Sequence, residues 1–131
     1  MAIRILVNEK SPRGRAAGVT INTRLKRLTF NKAGLGLLQE HFEGEANYCQ
    51  VLIDDDDHNV FYLRLCDSEA IGSKKLDRPS ASTRSLNISL LITEMGLKLE
   101  TTQRFPLIWN NNVEAARVNL EIEEKEEVKG K

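Results

Sequence analysis

Flat side chains are scarce in this chain of 131 residues, where Phe, Tyr and Trp together make up 5%. That scarcity argues against a base-stacking platform or a large ligand cavity, both of which are walled by rings. Histidine is scarcer still. His41 and His58 are the two copies, one expected at a helix end and one at a turn, so no Cys-His or Ser-His-acid constellation forms at any reasoned spacing. No glycine-rich loop follows a strand in the manner of a phosphate cradle. An enzyme is therefore not expected, and neither a cofactor nor a small-molecule substrate is implied. Long apolar runs are missing too: nothing approaches the ~20 residues of a membrane-spanning helix, and Met1 to Val7 is too short for a signal peptide. No membrane association is expected, and a cytoplasmic setting is the default. The two cysteines, Cys49 and Cys66, agree with it. The strand register derived below points them to opposite faces, so both read as reduced thiols rather than a disulfide.

What the chain does have is charge, arranged in blocks. The formal net charge is zero, yet residues 1–32 carry Arg4, Lys10, Arg13, Arg15, Arg24, Lys26, Arg27 and Lys32 against Glu9 alone, or 8 − 1 = +7. Residues 33–70 carry nine acids against Arg64, or 1 − 9 = −8. Such polarity fits a basic arm for phosphates or for an acidic partner. It fits equally well a basic arm folded onto the chain's own acidic segment or onto that of a second subunit. Within the arm, Pro12, Arg13, Gly14 and Arg15 could follow a phosphate backbone, because glycine allows close approach and arginine forks match phosphate oxygens. The same tetrad is common in plain linkers.

The most sharply patterned stretch is Leu28 to Leu65. Centring a hairpin on Asp57 sets Cys49, Val51 and Ile53 opposite Leu65, Leu63 and Phe61 on one face, as a period of two requires. Upstream, Leu28 and Phe30 alternate around Thr29, and Asn31 stands where a helix N-cap would be. The helix is expected from Lys32 to His41, with Leu35, Leu38 and Phe42 at helical spacing for packing on the hairpin. Gly34 and Gly36 each cost that helix about 1 kcal/mol relative to alanine. At the hairpin tip, Asp54 to Asp57 with His58 crowds oxygen ligands together. Successive side chains splay apart there, and no calcium-loop pattern follows, so a solvated turn is expected and no metal.

In chain order, Ile3, Ile5 and Val7 predict a first strand, and Asn8 to Gly18 a long basic loop. Val19 to Phe30 reads as strand on both sides of Arg24. Residues 67–83 are rich in Ser, Gly, Pro and charge and read as a linker. The first pattern then returns: Leu86 and Ile88 alternate, Ser89 can cap, Leu90 to Met95 is a short helix, and Gly96 closes it. Phe105, Leu107 and Trp109 form one arm of a second hairpin, with Asn110 to Asn112 as the turn. Ala116, Val118, Leu120 and Ile122 form the other arm. Pro106 marks an edge strand or a bulge. Residues 123–131 are a solvated tail.

The expectation is thus one α+β, mainly β, domain over 1–131. It comprises repeat 1 (19–66) and repeat 2 (84–122), the linker 67–83, an N-terminal strand and basic loop (1–18) and the charged tail. One unit alone leaves a hairpin face bare, and two can bury both by interleaving into a small barrel. The series Leu28-Thr29-Phe30-Asn31, the helix bearing Leu35 and Leu38, the two strands after it and the step Met95-Gly96-Leu97 resemble the AbrB/MazE/SpoVT-type swapped-hairpin module. The likeness spans residues 27–65 and, more faintly, 85–122. It implies a barrel of two units and DNA binding through basic residues at the strand-helix junction, at positions matched here by Arg24, Lys26, Arg27 and Lys32. Two functions follow as expectations. One is a DNA-binding regulator in which Arg13, Arg15, Arg24, Lys26, Arg27 and Lys32 neutralise phosphates. The other is a protein interaction or assembly module that joins a second copy or another protein through complementary charge.

Overall fold

The computed structural model describes residues 16–80, 83–99 and 101–121. The expected strand Ile3 to Val7, most of the basic loop, Ile122 and the tail lie outside the described residues. The described residues are mainly β with two helices, an α+β arrangement. A hairpin of β1 (Gly18–Asn22) and β2 (Arg27–Phe30) leads into α1 (Lys32–Gln39), then β3 (Tyr48–Ile53) and β4 (Val60–Cys66). There follow β5 (Lys74–Lys75), β6 (Asp77–Ser80), β7 (Thr83–Asn87) and α2 (Ser89–Met95). The last strands are β8 (Gln103–Pro106), β9 (Ile108–Asn110) and β10 (Ala115–Asn119). They form two five-stranded sheets, β6-β7-β2-β1-β8 and β5-β3-β4-β10-β9.

Alternation along the strands explains how the sheets share one interior. Val19, Ile21, Leu28, Phe30, Leu86 and Phe105 point inward from the first sheet, and Cys49, Phe61, Leu63, Leu65, Ala116 and Val118 from the second, in one buried cluster. Leu38 of α1 and Leu91 of α2 join it. Each large side chain so buried is worth about 1.5–3 kcal/mol. The β3–β4 register is the one that the sequence pattern predicts, with Cys49, Val51 and Ile53 opposite Leu65, Leu63 and Phe61. Both cysteines are free and buried.

The sheets exchange strands at both edges. Leu76 alone separates β5 from β6, and Leu107 alone separates β8 from β9, so each segment begins in one sheet and ends in the other. The hinge amides are used: Leu76 N donates to Asn47 O at 2.8 Å, and Leu107 N to Ala17 O at 3.0 Å. Pro106, with no amide to give, ends β8 where the ladder changes partner. The ladders make two sheets and not one closed barrel.

Three local expectations need correction. The stretch 67–83 is not a free linker, since Lys74–Ser80 supplies β5 and β6; lysine and proline in a short strand are what a sheet edge tolerates, and they hide it in the sequence. The arm Phe105 to Trp109 is not one strand but two, in different sheets. Ser89 does not cap α2. Its amide instead donates to Asn87 Oδ1 at 3.0 Å, and the residue at the cap, Ile88, has no side-chain bond to give. Gly96, at φ 64°, closes α2 as expected.

Asn31 does more than cap α1. Its Oδ1 accepts from Gly34 N at 2.6 Å and from Gly18 N at 3.1 Å, its Nδ2 donates to Ala16 O at 2.9 Å, and its own amide donates to Gly18 O at 3.1 Å. One residue therefore ties the first turn of α1 to the start of β1. The fit is close enough that a Cβ on Gly34 would lie 2.7 Å from Gly18 O, whereas one on Gly36 would meet nothing. Helix propensity alone favours alanine at both sites, and the packing reverses the sign at one. Gly36→Ala should stabilise by about 0.5–1 kcal/mol, and Gly34→Ala should destabilise by about 1–3 kcal/mol, as read by urea unfolding followed by circular dichroism. Stabilisation by both would contradict the close contact.

Candidate nucleic-acid interface

The turn between β1 and β2 is built as a fixed projection. Lys26 has a left-handed backbone at φ 56°, and its amide donates to Thr23 O at 3.3 Å. Leu25 N donates to Asn22 Oδ1 at 2.9 Å. From one side the 98–102 segment holds the turn: Thr23 Oγ1 donates to Leu99 O at 3.0 Å, and Asn22 Nδ2 to Thr102 Oγ1 at 2.9 Å. From the other, Ile88 N donates to Lys26 O at 2.9 Å. Arg24, Leu25 and Lys26 are all exposed at its crest. Arg24 also lines a surface hollow of about 140 Å³ with Asn22, Leu99, Thr101 and Thr102.

Of the six basic residues singled out from the sequence, three come together here. Arg24 and Lys26 make no ion pair among the described residues, while Arg27 pairs with Asp77 and donates to Ser85 Oγ at 3.2 Å. Lys32 is exposed at the start of α1, at the far end of the four-residue β2, roughly 13 Å of strand away at ~3.3 Å per residue. Arg13 and Arg15 lie outside the described residues. Sequence reasoning missed exposed Lys98, which precedes the Leu99 that Thr23 holds. No local pattern links positions so far apart. It also missed Arg84, a buried cation whose Nε donates to Ala46 O at 3.1 Å and whose Nη1 donates to Thr83 O at 2.9 Å, fastening β7 to the approach to β3.

The acidic tip belongs to the other sheet, between β3 and β4. Asp54 Oδ1 accepts from Asp56 N at 2.9 Å and Asp57 Oδ1 from Asn59 N at 3.0 Å, so these carboxylates cap their own turn. They make no ion pair among the described residues. The acid that does meet the basic segment is Asp77, from β6, and it takes up Arg27 only. Among the described residues no group of three or more His, Cys, Asp or Glu side chains is placed to hold a metal ion. No helix among the described residues is long and apolar enough to cross a membrane.

No family model matches the chain, and comparison with curated proteins and with solved structures gives no match.

Both thiols are held in their protonated form more firmly than an ordinary cysteine. Burial, with a smaller push from Cys66, raises the Cys49 thiol to about 12, and burial followed by the Asp67 carboxylate raises that of Cys66. A thiol whose folded value exceeds its ordinary value of 9.0 binds its proton more tightly in the folded state. The stability it contributes is whole below pH 9 and is lost as pH climbs toward 12. The fall in unfolding free energy across that window should be smaller in Cys49→Ala than in the wild type, and Cys49 should resist a thiol reagent at pH 8 until the chain unfolds. Rapid labelling of Cys49 in the native protein would contradict its burial.

Proposed function

We propose that this domain is a non-enzymatic DNA-binding regulator that grips the phosphate backbone through the β1–β2 turn. The observation carrying this reading is that Arg24 and Lys26 project, exposed and without an acid partner among the described residues, from a turn pinned on both sides. A fixed cationic crest meets a phosphate ridge without losing the side-chain and loop entropy that a mobile arm would. Arg27 stands beside Arg24 and Lys26 at the start of β2; Lys32 is at the opposite end of the hairpin, and Arg13 and Arg15 lie outside the described residues. Phosphate contacts position a protein on a duplex without reading its sequence, and no base-reading element is assigned.

The proposal includes a duplicated fold. Repeats 1 and 2 would each place a strand before the helix in the first sheet (β2, β7) and a hairpin after it in the second (β3–β4, β9–β10), two units of the kind that the resemblance to the swapped-hairpin module implies. The β2–β7 ladder supports this: Leu28 faces Leu86, while Arg27 faces Asn87 and Thr29 faces Ser85. A two-fold axis relating the units would impose that register, and β4 meets β10 in the second sheet in the same antiparallel sense. With strands shared at Leu76 and Leu107, the two sheets would act as a flattened barrel.

The second reading, an assembly module, draws on the exposed acidic tip, which lacks a cation partner among the described residues. The two are separated by titrating labelled duplex DNA over a range of salt, with the double variant Arg24→Ala, Lys26→Ala alongside. Each phosphate contact contributes about 0.9 to the slope of log K against log salt. The double variant should therefore bind at least about tenfold more weakly at low salt, with a slope shallower by about 2. Wild-type binding weaker than about millimolar, or an unchanged slope in the variant, would remove the DNA reading.

A further inference from the structure

Five large apolar side chains are exposed among the described residues, and two of them, Ile53 and Leu90, line one groove. The groove, about 300 Å³, lies between β3 and α2, with Val51, Ile88 and Leu91 along it. Ile53 is 39% and Leu90 60% exposed on its walls, and Ile71, 91% exposed, adjoins the Gly72 that also lines it. Scattered apolar residues at a surface are ordinary, but a cluster around a concave apolar floor marks a contact surface.

The opposite edge of the same sheet shows what such a place looks like when filled. There His41, just past α1, lies flat on Trp109 of β9, with ring centroids 3.7 Å apart and planes within 2°. Beside α2 no such ring stack covers β3 among the described residues. Its outer edge is paired only at Tyr48 and Cys49, by the two residues of β5, leaving Val51 to Ile53 without a strand neighbour on that side among the described residues. An open edge with apolar flanks is a template for another chain.

We propose that this groove is the interface of a homodimer with two-fold symmetry. The argument for a second copy is charge. The lining carries one cation and one anion on different walls, Lys74 from the sheet edge and Glu94 from α2. A two-fold axis over the groove sets each Lys74 against the partner's Glu94 and brings the apolar residues together at the centre. An isologous interface must be complementary to itself, and a lining of a single sign would repel its own copy. This goes beyond the DNA reading and does not depend on it, because Arg24 and Lys26 are not part of the groove.

The test is sedimentation equilibrium on the whole chain over a concentration series. Wild type should approach twice the 14.8 kDa chain mass. Leu90→Asp should remain monomeric, and Lys74→Glu and Glu94→Lys should each weaken association about tenfold. The double swap Lys74→Glu, Glu94→Lys should restore it to near wild type, an outcome that general damage to the fold would not give. All the altered side chains are at least partly exposed, and thermal melts of each variant check that it folds. A wild-type monomer at every concentration, a dimer that survives Leu90→Asp, or a double swap no better than the single changes would each overturn the proposal.

Discussion

The approach of the first turn of α1 to the entry of β1 is the constraint on which the rest of this molecule depends. Asn31 makes it with both ends of its amide and with its backbone, and Gly34 permits it by having no Cβ to place against Gly18 O. Fixing that contact fixes where β1 begins, and so the phase of Val19 and Ile21 against Leu28 and Phe30 across the hairpin. A shift of β1 by one residue would turn Val19 and Ile21 from the core to solvent. The same contact sets the direction in which α1 leaves the first sheet and carries the chain over to β3 and β4. Local polar geometry at one residue thereby anchors the first of the crossings between the sheets, the others being at Leu76 and Leu107.

The surface proposed to meet DNA is at the other end of the same hairpin. Where Asn31 anchors β1 and β2 at one end, the β1–β2 turn at the other is held by Thr23, Asn22 and Ile88 and carries Arg24 and Lys26 outward. Rigidity and exposure together distinguish these two cations from Arg27, which Asp77 and Ser85 engage. The charge blocks of the sequence thus resolve into separate places: a basic crest on the first sheet, and an acidic turn between β3 and β4 whose carboxylates serve its own backbone amides.

Much of the fold was legible in the sequence because its signals were local. The β3–β4 register follows from alternation on two arms about one tip, and the α1 cap from an asparagine before a helical run. What escaped was set by partners distant in sequence. Strands β5 and β6 look like linker because an edge strand needs little apolar surface, and the break at Leu107 exists because β1 and β10 compete for the two halves of one arm. Gly34 reads as a helix defect until Gly18 is seen beside it. At the basic surface, Arg24 and Lys26 were singled out by the charge blocks and by the family resemblance, and their exposure is what the structure adds. That Arg27 is engaged by Asp77, that Lys32 stands apart and that Lys98 is near could only come from the tertiary arrangement.

The location of nucleic-acid contact is the most direct measure of this account. Backbone amide shifts of the isotopically labelled protein, followed as duplex DNA is added at low salt, map contact residue by residue. The account predicts perturbations concentrated in residues 22–27 and 98–102, with the Asp54–Asp57 turn unaffected. Shifts centred on that acidic turn or on the groove beside α2, or none at saturating duplex, would contradict it.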